Sequence, residues 1–214
     1  IRIAPGTYVG AVVVDGKSLT ITGAGSDVTV VRGFGRGAVL SFSGSAEQRI
    51  SVTGISVVGG RGATGTGMVF DGVSFDVRDS HIAGNQGGGV TMRDGLGTFS
   101  GCKFDDNRSE KSGGAVSNEG GSPSFVACTF RHNISATFGG ALYSKGGNVS
   151  ILACTVEDNS TRSGAWGGAV FGENTTFELH GTDFNRNRSI ESGGAVYLLG
   201  GIADVSRCTF TGNY

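Results

Sequence analysis

The stretch CTFRHNISATFGGALY, residues 128–143, contains both halves of a string that recurs along the chain. Its first half places a cysteine, a phenylalanine and an asparagine at fixed spacing, and its second half is a Gly-Gly-Ala followed by an aliphatic residue. A catalytic motif normally occurs once, whereas a motif that returns at a regular interval indicates a structural repeat. The counterparts are CKFDDN (102–107), CTVEDN (154–159), TDFNRN (182–187) and CTFTGN (208–213), with GGAV at 113–116, 167–170 and 193–196.

Six asparagines define the repeat, at intervals of 22, 26, 26, 28 and 26 residues: Asn85, Asn107, Asn133, Asn159, Asn187 and Asn213. Two columns of apolar residues keep their register with them. Three residues before the asparagines lie Ile82, Phe104, Phe130, Val156, Phe184 and Phe210. Eight residues before lie Val77, Phe99, Phe125, Ile151, Leu179 and Val205. The period of about 26 residues is typical of a solenoid.

The pattern within one copy predicts short strands. Cys128 and Phe130 alternate with Thr129, which indicates a strand with one buried face. The odd step from Phe125 to Cys128 requires a bend between two strands. The sequence therefore predicts an all-β fold, a single-stranded right-handed parallel β-helix of about eight coils with three short strands per coil. We expect one domain over residues 1–214, with less regular coils in 1–74 and regular coils in 75–214.

Each repeated residue has an expected structural role. Gly-Gly-Ala begins one strand at a tight corner, and cysteine and phenylalanine fill the core from another strand. The asparagine ends that strand at a turn, where it tolerates a left-handed backbone and its amide bonds to the asparagines of adjacent coils. The cysteine column, Cys102, Cys128, Cys154 and Cys208, is interrupted by Thr182. Parallel side chains make disulfide closure awkward, so a ladder of buried thiols is favoured over disulfides.

The paired repeat, GGAV or GGAL with FDDN (104–107), FRHN (130–133), FNRN (184–187) and FTGN (210–213), resembles that of the chlamydial polymorphic outer-membrane proteins. The resemblance covers residues 75–214 and implies a secreted, surface-displayed protein associated with adhesion. The amino-terminal IRIAPGTYVGAVVVDGKSLTITGAG, residues 1–25, resembles the first coils of pectate-lyase-like and pectin-esterase-like β-helices. This second resemblance implies the fold superfamily.

Composition excludes several classes of function. The formal net charge is −1 and the charges are interspersed, so no electrostatic footprint for nucleic acid is visible. No apolar run approaches the roughly 20 residues of a membrane-spanning helix. No Cys-x-x-Cys or similar ligand spacing indicates a metal site, and we expect no cofactor. The chain opens on Ile1, shows no signal peptide, and ends after the turn asparagine, so we expect it to be part of a longer protein.

Catalysis receives little support from the sequence. Asp105-Asp106 is the most acidic local feature, but its counterparts are Arg131-His132, Glu157-Asp158 and Asn185-Arg186. Stacked in register, these dipeptides form alternating charges, which favours cross-strand stabilisation over an acid and base pair. His81 and His180 share no column with a carboxylate, so we expect solvated surface roles for both. No catalytic residue is therefore assigned.

Two further features concern the surface. Six asparagines begin an Asn-x-Ser/Thr sequon, but four of these are turn asparagines that we expect to be buried. Asn148 and Asn174 are the two candidate N-glycosylation sites. Stacking would also gather five aromatic residues: Phe138, Tyr143, Trp166, Phe171 and Tyr197. If the adjacent aliphatic residues point inward, this column faces solvent and is a candidate binding strip, and if the parity is reversed it is core.

The leading functional hypothesis is a non-catalytic extracellular or cell-surface module for adhesion or structural assembly. Two alternatives are a polysaccharide-active enzyme of lyase, esterase or epimerase type, and a carbohydrate-binding module that uses the aromatic strip. Expected partners are other coils or domains of the same protein, a partner chain at the carboxyl-terminal end, glycans, and host or matrix proteins. Neither nucleic acid binding nor membrane insertion by this segment is expected.

Overall fold

The computed structural model describes residues 1–162 and 165–214, in which every strand pairing is parallel and no helix occurs. The first eleven strands are β1 (Arg2–Ile3), β2 (Gly6–Val9), β3 (Val12–Asp15), β4 (Leu19–Gly23), β5 (Thr29–Arg32), β6 (Leu40–Ser43), β7 (Arg49–Thr53), β8 (Ser56–Val58), β9 (Met68–Asp71), β10 (Ser74–Arg78) and β11 (His81–Ala83).

The remaining strands belong to the regular repeats. They are β12 (Val90–Arg93), β13 (Leu96–Ser100), β14 (Lys103–Asp105), β15 (Arg108–Ser109), β16 (Val116–Glu119), β17 (Ser122–Val126), β18 (Thr129–Arg131), β19 (Ile134–Ser135), β20 (Leu142–Lys145), β21 (Asn148–Leu152), β22 (Thr155–Glu157), β23 (Ser160–Thr161), β24 (Val170–His180), β25 (Asp183–Asn185), β26 (Val196–Ser206) and β27 (Thr209–Thr211).

The strands form a solenoid of about eight turns with three faces. Face 1 contains β3, β6, β9, β12, β16, β20 and the first parts of β24 and β26. Face 2 contains β1, β4, β7, β10, β13, β17, β21 and the last parts of β24 and β26. Face 3 contains β2, β5, β8, β11, β14, β18, β22, β25 and β27. The predicted three strands per coil are confirmed, and β15, β19 and β23 add a short ladder between faces 3 and 1.

In-register stacking places the same repeat position of each coil on its neighbour, which builds the core. The rings of Phe104 and Phe130 stack with centroids 4.6 Å apart and planes 4° apart, and those of Phe99 and Phe125 stack at 5.3 Å. All four side chains are fully buried. Alternation along the strands turns the intervening polar residues outward.

The bend between faces 2 and 3 explains the odd spacing of the apolar residues. Ala127 lies between β17 and β18 and adopts a left-handed backbone with φ of 51°, and Ala153 does the same one coil later with φ of 52°. Because of this residue, the alternation of inward and outward side chains shifts by one position. Phe125 and Cys128 therefore both point into the core although they are three residues apart.

The six turn asparagines lie in one column. Asn85, Asn107, Asn133, Asn159 and Asn187 are fully buried, and each side-chain amide donates to the Oδ1 atom of the next asparagine over 3.0–3.1 Å. Each amide also donates to a backbone carbonyl of an earlier coil, for example from Asn133 to Phe104 over 2.8 Å. The column thus satisfies its own buried polar atoms.

The expectation of a left-handed asparagine is wrong. The left-handed residue is the one before the asparagine, at Asp106, His132, Asp158 and Arg186, with φ between 50° and 55°. The physical reason is that the asparagine must keep an ordinary backbone to aim its side chain along the column. The preceding residue is exposed or half-buried and absorbs the turn.

All four cysteines are free thiols. Cys102, Cys128 and Cys154 are buried, and Cys208 is partly buried in the last coil. The Sγ atom of Cys128 contacts the carbonyl oxygens of Phe99 and Val126 at 3.3 and 3.4 Å. Hydrogen bonding with the neighbouring thiols, together with burial, raises the pKa of Cys128.

We expect the Cys128→Ser substitution to lower the free energy of unfolding by only about 1 kcal/mol. Thr182 shows how the column accepts a hydroxyl, because its Oγ1 atom lies 3.1 Å from the carbonyl of Ile151 and 3.2 Å from that of His180. Urea unfolding of both proteins measures the difference. Native-state thiol labelling should be slow at Cys128, and rapid labelling would show that the column is accessible to solvent.

Candidate functional site

The five predicted aromatic residues form one cluster on the outer side of face 1, which we call the aromatic patch: Phe138, Tyr143, Trp166, Phe171 and Tyr197. Tyr143, Phe171 and Tyr197 stand directly above one another in β20, β24 and β26. The neighbouring Leu142 and Val170 are buried in the core. Of the two parities, the structure therefore has the one that turns the aromatic column outward.

The rings of the aromatic patch stack on each other rather than standing apart. Phe138 lies 4.6 Å from Phe171 and 5.6 Å from Trp166, and Tyr197 lies 5.3 Å from Trp166 and 5.6 Å from Phe171, with planes inclined by 27° or less. Phe171 is therefore only 2% exposed although it lies outside the core, while the other four are half-buried. The surface exposed to solvent consists mainly of the outer parts of the four rings around Phe171.

Two carboxylates accept hydrogen bonds from polar atoms of the aromatic patch. The indole Nε1 of Trp166 donates to Glu191 over 2.9 Å, and the hydroxyl of Tyr143 donates to Glu173 over 3.3 Å. Lys145 lies 2.9 Å from Glu173. The hydrogen bond from Lys145 lowers the pKa of the Glu173 carboxyl, and burial, followed by the charge of Glu173, raises the pKa of the Tyr143 hydroxyl. The rings are thus fixed in orientation by a charged rim.

A hydroxyl-lined groove continues from the aromatic patch towards the amino terminus. Its volume is about 260 Å³. In the outer column of face 1, Thr91 and Ser117 occupy the places that Tyr143 and Phe171 occupy in later coils. The small side chains leave the groove open where the aromatic residues fill the surface. The other polar residues that line it are Thr64, Thr66, Arg93, Ser109, Lys111, Ser112 and Glu119.

The acidic dipeptides lie on the outer side of face 3 in the predicted register. Asp105 pairs with Arg131, and Arg131 with Glu157. Arg186 forms ion pairs with Asp158 at 2.8 Å and with Glu157 at 3.1 Å. The hydrogen bond from Arg186 lowers the pKa of the Asp158 carboxyl. The carboxylates of Glu157 and Asp158 are therefore paired with a basic side chain.

Neither histidine has a carboxylate beside it in its own column, as expected, but each lies close to one on a diagonal. The Nε2 atom of His81 lies 2.9 Å from Oδ2 of Asp105, because Asp105 reaches back from two residues further along the adjacent strand. The other oxygen of Asp105 is buried and has no hydrogen-bond partner among the described residues. His180 lies 4.0 Å from Asp204 and contacts the hydroxyl of Ser206. Diagonal contacts of this kind do not appear in a column-by-column alignment.

The two candidate glycosylation sites, Asn148 and Asn174, are exposed. Asn148 begins β21, and Asn174 lies at the corner inside β24 with a φ of 50°. Asn107, Asn133, Asn159 and Asn187 also begin sequons but are fully buried in the asparagine column. Only the first two present their amides at the surface, and their modification stays a prediction.

Metal and membrane sites receive no support from the described residues. Within 1–162 and 165–214, no three His, Cys, Asp or Glu side chains are grouped so that they would hold a metal ion. Over the same residues, there is no helix of the length and apolar character that crossing a membrane requires.

The stacked faces define the protein as a β-helix whose outer side chains are its available binding groups. Residues 66–214 match the family described as the right handed beta helix region, and the chain belongs to this family. The predicted right-handed parallel β-helix is thereby confirmed. The finer resemblances to chlamydial repeats and to pectate-lyase-like coils stay predictions.

One solved structure extends the fold comparison. The protein named "Geobacillus virus E2 - ORF18" superposes on 98% of this chain with a TM-score of 0.57 and 12% sequence identity. The match covers 53% of that protein, so this chain spans about half its length. At this identity the similarity shows the fold alone. No curated protein sequence matches the chain.

Sequence reasoning missed the charged rim of the aromatic patch and the groove beside it. A signal for the rim was present, since Lys145 and Glu173 each lie two residues after an aromatic member of the patch. Strand alternation places residues with that spacing on the same face. Glu191 carried no such signal, because it lies outside the strands.

Proposed function

We propose that the chain is a non-catalytic extracellular or cell-surface β-helix module for adhesion, and that the aromatic patch is its contact surface for a partner protein. The observation that carries the proposal is the placement of five aromatic rings outside the core. A ring that served only to fill the interior would not stand on the solvent side of face 1. Aromatic residues are enriched at the centres of protein interfaces.

The arrangement of the rings favours a protein partner over a sugar. A sugar packs on the open face of a ring, but the faces within the aromatic patch largely cover each other. The outer parts of the rings and the fixed indole of Trp166 suit the mixed apolar and polar surface of a protein. The exposed carboxylate of Glu191 would attract a basic side chain of the partner, whereas that of Glu173 is already paired with Lys145.

The repeated strings support the extracellular placement. Gly-Gly-Ala and Phe-x-x-Asn resemble the repeats of surface-displayed chlamydial proteins, and the exposed sequons at Asn148 and Asn174 suit a secreted chain. The solenoid itself suits a structural module, because each coil supports only its neighbours and leaves the outer side chains free to vary.

We expect Trp166→Ala to weaken binding to the partner at least tenfold, since buried aromatic anchors carry much of the energy of an interface. The measurement is biolayer interferometry of the protein against immobilised fibronectin, laminin and collagen. Leu96→Ala is the matched control, because Leu96 is 56% exposed at the start of β13 on face 2, away from the aromatic patch.

The outcomes separate the hypotheses. Binding to a matrix protein that is lost in Trp166→Ala and kept in Leu96→Ala supports adhesion. Binding on a glycan array with the same dependence on Trp166 would replace adhesion by the carbohydrate-binding module. If no binding depends on Trp166, the aromatic patch only stabilises the fold and the proposal fails.

A second candidate is a polysaccharide-active enzyme, and the contact between His81 and Asp105 is the observation that favours it. A histidine held by a carboxylate is a common acid–base group. The test is a turnover assay on polygalacturonate and alginate with the wild type and with His81→Asn. Product formation that His81→Asn abolishes would establish this activity.

A further inference from the structure

Three exposed arginines lie together near the amino-terminal end of the solenoid: Arg32, Arg36 and Arg61. Arg36 and Arg61 pair directly across adjacent coils through a parallel bridge. Arg32 and Arg61 line one open recess of about 360 Å³ together with Phe34. Phe34 is 81% exposed, the highest value among the large apolar side chains of the described residues.

The stacking of two arginines departs from the charge pattern of the rest of the solenoid. Like charges directly opposite each other on adjacent strands are destabilising. Elsewhere neighbouring coils bring opposite charges together, as in Asp71–Arg93 at 3.6 Å, Lys145–Glu173 at 2.9 Å and Asp158–Arg186 at 2.8 Å. Among the described residues, no carboxylate forms an ion pair with Arg32, Arg36 or Arg61.

A second like-charged pair among the described residues shows how such repulsion is relieved. Glu178 and Asp204 are also in register. The hydroxyl of Ser150 donates to Glu178 over 2.8 Å, and the ring of His180 lies 4.0 Å from Asp204. The arginine pair has no corresponding acceptor from the described part of the chain.

We propose that Arg32, Arg36 and Arg61 bind a dianionic phosphate monoester carried on a ring-bearing molecule that packs against Phe34. A dianion supplies one negative charge for each of the paired residues Arg36 and Arg61, whereas a singly charged group such as a carboxylate or a sulfate ester leaves one of them unpaired. The guanidinium fork matches tetrahedral oxyanions through paired hydrogen bonds. The exposed ring of Phe34 lies at the same recess and supplies the apolar contact for the carrier.

The surroundings limit the ligand to one charged group. Asp106 lines the adjoining recess with Arg32, and Glu110 lies 3.2 Å from Arg108 on the corner ladder. A long, densely charged polymer such as a nucleic acid would meet these carboxylates and be repelled. A compact sugar phosphate or nucleotide would not extend that far.

The binding test is calorimetric titration of the intact chain with inorganic phosphate, glucose 6-phosphate, AMP and glucose. We expect glucose 6-phosphate or AMP to bind at least tenfold more tightly than inorganic phosphate, and glucose not to bind. The tighter of the two esters identifies the carrier ring as a sugar or a base. Affinity should fall with rising salt, because the contacts are ionic.

Single substitutions test what each residue contributes to ligand binding. Arg36→Gln and Arg61→Gln should each weaken ester binding at least tenfold, while Phe34→Ala should reduce it to the level of inorganic phosphate. Arg78→Gln is the control, because Arg78 is exposed and already pairs with Asp76 at 2.7 Å. Absence of binding by both esters, or equal losses in Arg36→Gln and Arg78→Gln, would overturn the proposal.

A thermal melt provides a second readout. At low salt and without ligand, Arg36→Gln should raise the melting temperature by about 1–2 °C, because it removes the repulsion from Arg61. Phosphate esters should stabilise the wild type and not this variant. A lower melting temperature in Arg36→Gln would show that Arg36 stabilises the chain itself and would contradict the inference. The site lies apart from the aromatic patch, so neither result depends on the adhesion experiment.

Discussion

The Asn133→Ala substitution should lower the free energy of unfolding by about 3–5 kcal/mol, because it breaks a fully satisfied and buried network. The Asn133 amide donates to Phe104 and Asn159, and its Oδ1 atom accepts from both the backbone and the side-chain nitrogen of Asn107. Alanine removes all four hydrogen bonds and leaves the partners buried without water. Urea unfolding gives the energy, and amide hydrogen exchange should show lost protection at Asn107.

The control for this prediction is Asn148→Ala. Asn148 is exposed, and the bond that it makes to the hydroxyl of Ser122 comes from its backbone, which alanine retains. We expect a change within about 0.5 kcal/mol. If Asn133→Ala were as mild as this control, the asparagine column would not be a principal source of stability between coils.

The fold was predictable because the determining signal is repeated. A single Cys-x-Phe-x-x-Asn string is weak, but successive copies in one register predict that Phe104 lies on Phe130 and Asn107 on Asn133. Repetition averages out local exceptions such as Thr182 in the cysteine column. The left-handed residue was misassigned because no single residue type occupies the position before the asparagine, as Asp106, His132 and Arg186 show.

The surface was less predictable, because it depends on contacts between different positions of neighbouring repeats. The membership of the aromatic patch followed from stacking, but its orientation depended on strand parity, and the sequence left both parities open. The contact between His81 and Asp105 runs diagonally between columns. The bridge between Arg36 and Arg61 lies in coils with longer loops and no turn asparagine, where no repeat sets the register.

The second large effect is expected at Gly140, the second glycine of the Gly-Gly-Ala at 139–141. Its backbone does not require glycine, but a Cβ atom there would meet the backbone nitrogen and oxygen of Ser160 at 2.6 and 2.7 Å and the carbonyl of Gly168 still closer. These atoms belong to the next coil and are held by its hydrogen bonds. We expect Gly140→Ala to cost more than about 4 kcal/mol, in the range of the most damaging single substitutions.

Gly181→Ala is the control, because it introduces backbone strain without a close contact to the next coil. Gly181 has a φ of 58°, but a Cβ atom there would meet nothing within 4 Å. Its counterparts one and two coils earlier are Ala153 and Ala127, which adopt the same left-handed backbone. Its substitution should cost about 1–2 kcal/mol, the ordinary cost of a left-handed residue. Comparable losses at Gly140 and Gly181 in urea unfolding would show that adjacent coils can move apart at the Gly-Gly-Ala corner. A much larger loss at Gly140 would show that this corner sets the distance between coils, which explains why the glycine returns in every regular repeat.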